Sequence, residues 1–154
     1  MSRSIFAPLC LLLLTAGCAT TGVGKIMNDN PAATGSLAVA GPMFGEKTLT
    51  PAACRSGEHE VFLGADFQDP AQSLTARVVI DPLGDAAIRL FDPADRFKKT
   101  LVLRRESCAT FKFAFDRQGW QLNDIYVLKV SLELDCSLPG GDTVKGSLAA
   151  ESCW

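Results

Sequence analysis

The chain has a single histidine, His59, in 154 residues. Nucleophilic hydrolases usually set a base beside a serine or cysteine, and the nearest such groups in sequence are Cys54 and Ser56. A Cys54–His59 dyad needs a free thiol, whereas a loop histidine between Glu58 and Glu60 needs nothing further. The G-x-S-x-G, H-E-x-x-H and P-loop patterns are all missing, so the sequence nominates no catalytic residue and no cofactor. Lys plus Arg number 15 against 17 for Asp plus Glu. That balance leaves no bulk positive field for a phosphate backbone, which argues against nucleic acid as a partner. No apolar run approaches the roughly 20 residues that a helix needs to cross a bilayer. No segment carries apolar residues at helical spacing, and no two cysteines stand close enough for a C-x-x-C metal motif.

Apolar residues make up 47% of the chain and charged residues 21%, enough for a core and unlike a disordered composition. From Gly35 onward the apolar residues recur at period two, the mark of antiparallel strands with one buried face. Leu128, Val130, Leu132, Leu134 and Cys136 share one face of a strand whose other face holds Lys129, Ser131, Glu133 and Asp135. Phe111, Phe113 and Phe115 alternate with Lys112 and Ala114 in the same way. Further strands are expected at Ser36 to Ala40, Lys47 to Thr50, Glu60 to Phe67, Leu74 to Ile80, Ala86 to Phe91, Thr100 to Arg104 and Thr143 to Ala150. Gly41-Pro42, Asp69-Pro70, Asp81 to Asp85, Asp92-Pro93, Gln118-Gly119 and Pro139 to Asp142 supply the turns between them. The pattern predicts an all-β fold of about eight to nine strands, an antiparallel sandwich or small barrel. Gly35-Ser36-Leu37-Ala38 and Gly146-Ser147-Leu148-Ala149 have the same four residues but are too short to define a repeat.

Residues 1 to 17 have one cation at Arg3, an apolar run from Ile5 to Leu14 and small residues just before Cys18, the layout of a signal peptide. Leu14-Thr15-Ala16-Gly17-Cys18 resembles the lipobox of bacterial lipoproteins, with Thr15 where leucine is usual. The resemblance implies cleavage before Cys18, lipidation of that cysteine and a membrane anchored by several acyl chains, each buried methylene adding about 0.8 kcal/mol. In that class an Asp after the cysteine retains the protein in the inner membrane, so Ala19 points to the outer membrane. Residues 18 to 35 are small and polar and read as a flexible tether, leaving 36 to 154 as the β domain.

The domain then keeps Cys54, Cys108, Cys136 and Cys153. An oxidising envelope makes two disulfides the expectation. If 110 to 116 and 126 to 136 form a hairpin turning around Gly119 to Asn123, Cys108 faces Cys136. Pairing Cys136 with Cys153 across the Pro139-Gly140-Gly141 turn instead sets them much more than the roughly 7 Å a disulfide spans. Cys108–Cys136 with Cys54–Cys153 is therefore expected. Cys108 shares a face with Lys112, so the pairing requires a bulge or turn near Ala109.

The aspartates sit beside Pro or Gly and read as turn formers, although calcium at the Asp81 to Asp95 loops is an alternative. Arg104 and Arg105, with Lys98 and Lys99, form the one basic cluster, suited to an anionic glycan or headgroup. Trp120 and Trp154 are the aromatics able to stack on a sugar ring. These residues make Arg104, Arg105 and Trp120 the candidate ligand contacts. The lipobox, together with Ala53-Cys54-Arg55-Ser56-Gly57-Glu58, Leu122-Asn123-Asp124-Ile125, Leu134-Asp135-Cys136 and Glu151-Ser152-Cys153-Trp154, resembles small lipoproteins of myxobacterial type. That resemblance implies the fold and the envelope location and lends no catalytic residue. The lipobox, the cysteine count and the missing catalytic groups together lead to the expectation of a lipid-anchored envelope protein whose non-catalytic β domain binds a protein, glycan or small apolar molecule. An inhibitor of a hydrolase and an enzyme with an unrecognised site are the alternatives.

Overall fold

A computed structural model describes residues 33–154. The expected leader, Cys18 and the expected tether as far as residue 32 lie outside the described residues. Ten strands form two five-stranded antiparallel sheets. They are β1 (Ala33–Ala40), β2 (Lys47–Leu49), β3 (Ala53–Ser56), β4 (Gly64–Asp69), β5 (Leu74–Ile80), β6 (Ala86–Phe91), β7 (Thr100–Leu103), β8 (Cys108–Leu122), β9 (Ile125–Ser137) and β10 (Thr143–Cys153). The first sheet runs β2-β1-β10-β9-β8, and the second is the meander β3-β4-β5-β6-β7. The sheets stay separate, so the fold is a sandwich and the barrel alternative falls away.

The period-two pattern works because each strand buries one face against the opposite sheet. Leu37, Leu128, Leu134 and Leu148 from the first sheet meet Phe67, Leu74, Ile88, Leu90 and Leu103 from the second in one cluster. Each such side chain stabilises the fold by about 1.5–3 kcal/mol relative to exposure. β3 reaches across the first sheet: Cys54 is bonded to Cys153 in β10, while Glu58, just beyond β3, contacts Arg117 in β8 and Tyr126 in β9. These contacts tie the start of the second sheet to β8, β9 and β10 of the first.

Both expected disulfides are present, Cys54–Cys153 between the sheets and Cys108–Cys136 between β8 and β9. The parity conflict at Cys108 is resolved where it was expected: Cys108 pairs with Cys136 and Thr110 with Asp135, so Ala109 is the extra residue of a bulge.

Three local expectations are corrected. The segment expected as a strand from Glu60 begins instead with a 3-10 turn, Gly57–Glu60, and β4 starts only at Gly64. Ser56 caps that turn by accepting from the Glu58 N–H at 3.4 Å, and Val61 closes it at φ 62°. Ala53–Ser56, read as part of no strand, forms β3. The β8–β9 hairpin turns at Asn123-Asp124, both at positive φ (50° and 65°) as a two-residue primed turn requires, and Gly119 is absorbed in a second irregularity between Arg117 and Gln121.

The two Gly-Ser-Leu-Ala segments pair with each other. Ser36 lies opposite Ser147, Gly35 opposite Leu148 and Leu37 opposite Gly146, a local two-fold between β1 and β10. A Cβ on Gly35 would fall on the Ser147 carbonyl oxygen, and one on Gly146 on that of Ser36.

Candidate functional site: a cleft on the outer face of the second sheet

A transverse row of side chains crosses the second sheet on the face turned away from the core. The register sets Arg55 opposite Asp66, Asp66 opposite Arg77, Arg77 opposite Arg89, and Arg89 opposite Val102. The meander explains this: its hairpins return the chain every eleven or twelve residues, so Arg55, Asp66, Arg77 and Arg89 align.

Arg77 is the hub. Its Nε donates to Asp66 Oδ1 at 2.8 Å and its Nη2 to Asp66 Oδ2 at 2.6 Å, a bidentate fork, while Nη2 also donates to Glu60 Oε2 at 2.7 Å. The guanidinium lies 4.4 Å from the Phe62 ring centroid and 5.3 Å from that of Phe91, within cation–π range. Phe91 is thereby buried although it belongs to the outer face. Burial pushes the Asp66 carboxyl above its ordinary range against the pull of Arg77, whereas the hydrogen bond from Arg77 holds the more exposed Glu60 below its own. The two carboxylates raise the Arg77 guanidinium, which stays cationic.

Around this hub lies a cleft of about 260 Å³, lined by Gln68, Asp69, Thr75, Leu74, Pro70 and Pro93 in addition to Glu60, Asp66, Arg77, Phe91 and Arg96. Asp69 is fixed by the backbone N–H groups of Thr50 (2.7 Å) and Gln72 (3.1 Å). A second hollow of about 210 Å³ shares Arg77, Phe91 and Arg96 with it and adds Arg89, Phe97 and Thr100. The two hollows adjoin along Arg77, Phe91 and Arg96 as a groove; the first lobe adds carboxylate and amide groups, the second adds Arg89.

The 3-10 turn flanks the groove and is pinned from both sheets. Glu58 accepts from Arg117 Nη2 at 2.8 Å and from the Tyr126 N–H at 2.9 Å, while Glu60 is held by Arg77. Phe62 packs so closely on Gly57 that a Cβ there would overlap its ring. Between these anchors His59 and Val61 point outward, and Val61 is 95% exposed.

The residues singled out from sequence are placed elsewhere and are not brought together. Arg104 is exposed beside the turn Arg105–Ser107. Arg105 donates to the Phe111 carbonyl oxygen at 3.3 Å and lies 5.4 Å from the Phe111 ring. Trp120 is half-exposed at the other end of β8, roughly 30 Å along the strand from Phe111 at about 3.3 Å per residue. Trp154 is partly buried after Cys153. Asp81 accepts from the Leu83 and Asp85 N–H groups and Asp92 from that of Ala94, the expected work of turn aspartates. Among the described residues no three His, Cys, Asp or Glu side chains converge as a metal site. His59 stands in the exposed turn, and Cys54 is in a disulfide, so the two form no dyad.

Sequence reasoning missed the groove. The available signal was a lone charge among apolar residues in successive strands: Asp66 between Ala65 and Phe67, Arg77 between Ala76 and Val78, Arg89 between Ile88 and Leu90. The chain matches no family model, and neither a curated protein nor a solved structure shows significant similarity to it. Fold and groove together define a disulfide-bonded antiparallel β-sandwich with a polar cleft on one outer face.

Proposed function

We propose that the chain is a lipid-anchored envelope protein, held at the outer membrane through Cys18, whose β-sandwich is a non-catalytic binding module with its ligand seat in the groove at Arg77. The observation that carries the seat is the Asp66–Arg77–Glu60 network, clamped between Phe62 and Phe91. Polar groups locked on rigid strands beside an open cleft suit binding, because little side-chain entropy is left to lose. The lipobox-like residues up to Cys18 support the anchor. Intact mass of the chain isolated from a bacterial host, with and without reductant, tests it. Acyl mass on residue 18 and two reducible bridges are expected, and Cys18→Ser is expected to release the protein from the membrane fraction. Unacylated wild-type protein would sink the anchor. The seat is tested by backbone NMR during titration with neutral and charged oligosaccharides: shifts are expected to cluster at Gln68, Thr75 and Phe91.

A second reading, inhibition of a hydrolase, is favoured by the pinned turn, since Val61 is a β-branched residue held in left-handed backbone and fully presented to solvent. Added to a panel of proteases and glycosidases, the protein would then block one of them, and Val61→Asp would abolish the block.

A further inference from the structure

We propose that the groove recognises an acidic saccharide, a sugar whose carboxylate or phosphate is held by Arg89 and Arg96 while its hydroxyls reach the lobe of Gln68 and Thr75. The inference rests on the groove being the ligand seat and adds the chemistry of what sits there.

Electrostatics carries it. Arg77 and Arg89 stand directly opposite one another on neighbouring strands, an arrangement that like charges disfavour. Arg77 is neutralised by Asp66 and Glu60. Arg89 and Arg96 pair with no carboxylate among the described residues, yet they line the same hollow, beside the Thr100 side chain and the outward-facing ring of Phe97. Arg96 lies 5.0 Å from the Phe97 ring centroid. Two guanidinium groups at one hollow, neither in a close ion pair and Arg96 acting on Glu60 only at longer range, are a fork for a single anionic group. The adjoining lobe presents a different chemistry. Gln68 and Thr75 are cross-strand neighbours, and Asp66, Asp69 and Glu60 line the same space. Carboxylates there repel a polyanion of dense charge, so a nucleic acid or heavily sulfated chain fits poorly. Asp66 and Asp69 are buried and already accept from Arg77 and from the Thr50 and Gln72 N–H groups, so the partly exposed amide of Gln68 and Glu60 Oε1 are the groups left to meet hydroxyls, and a singly charged sugar fits both lobes.

The test is isothermal titration of the full processed chain in detergent with trigalacturonate, with glucosamine 1-phosphate and with the uncharged galactose trisaccharide. At least one charged probe is expected to bind, more weakly as salt rises, and the one preferred identifies the anion as carboxylate or phosphate. Arg89→Gln with Arg96→Gln is expected to weaken binding by about tenfold or more, the scale of a lost charge-assisted contact. Both side chains are exposed, so the melting temperature should hold. Arg104→Gln with Arg105→Gln is expected to leave binding unchanged. Equal binding of the uncharged trisaccharide with shifts still at Gln68 and Thr75 would overturn the charge requirement while keeping the seat. Absence of binding by both charged probes, or equal loss in the Arg104 and Arg105 variant, would overturn the proposal.

Discussion

Arg77 shows how a charged side chain is tolerated inside a strand whose inward neighbours, Ala76 and Val78, are fully buried. Its cationic end is matched by two carboxylates and its flat faces by two rings, so removal of the guanidinium strands Asp66, which is only 5% exposed. Arg77→Gln is expected to cost about 2–3 kcal/mol in urea denaturation, the buried-pair range discounted for partial solvent access. Arg77→Lys should recover little of it, because an ammonium cannot reproduce the fork. Glu60 gives a pH dependence of definite sign. Its carboxyl titrates lower in the fold than in the unfolded chain because Arg77 donates to it. Its contribution is therefore complete above the ordinary glutamate range and disappears as pH falls through the lowered value. Asp66, raised by burial, acts in the opposite sense. The stability gap between wild type and Glu60→Gln isolates the first effect: it should be constant near neutral pH and close as pH falls below the ordinary glutamate range and through the lowered value. A gap that widened on acidification would contradict the assignment.

At the scale of elements, what was legible in the sequence was periodicity, and what was not was register. The alternation in Phe111 to Phe115 and in Leu128 to Cys136 shows which side chains turn inward, and the mismatch between Cys108 and Lys112 foretold the bulge at Ala109. The row Arg55–Asp66–Arg77–Arg89 depends on how four strands align, and each residue alone looks like a solvated charge. The Glu60 to Phe67 segment misled for a related reason: its leading residues are pulled out of strand geometry by Glu58 and Glu60 reaching partners in β8 and β5, about sixty and seventeen positions away. Arg104, Arg105 and Trp120 were prominent only as sequence clusters or large side chains, which says nothing of convergence. The paired Gly-Ser-Leu-Ala segments are the element-scale counterpart of register. Gly146 has φ 137° and its α-carbon faces the Ser36 carbonyl, so Gly146→Ala meets both backbone strain and overlap. A loss of about 2 kcal/mol or more in chemical denaturation is expected, and Gly35→Ala should behave alike. A neutral effect at either position would mean that β1 and β10 do not approach so closely.

For the whole molecule, the two disulfides differ in what they hold. Cys54–Cys153 closes a stretch of 99 residues and ties one sheet to the other, whereas Cys108–Cys136 closes 28 within one sheet. In the chain-entropy account the longer loop is worth about 4–5 kcal/mol and the shorter about 3–4. Replacing Cys54 and Cys153 by alanine should accordingly lower stability more than replacing Cys108 and Cys136, measured by denaturation of the two double variants. The opposite order would show that the edge bridge restrains more than the link between sheets. The sandwich followed from many short strands without helices, but the joining of β3 to β10 was indicated by cysteine pairing alone.

β10 has a further consequence for timing. It is the last of the described strands, yet it lies at the centre of the first sheet, with β1 on one side and β9 on the other. A polypeptide emerging in order from the ribosome exposes β1 early, and that strand must wait until β2 to β9 have been made before its main neighbour arrives. The first sheet therefore cannot close until β10 has been made, and until then β1 has only the three-residue β2 to pair with.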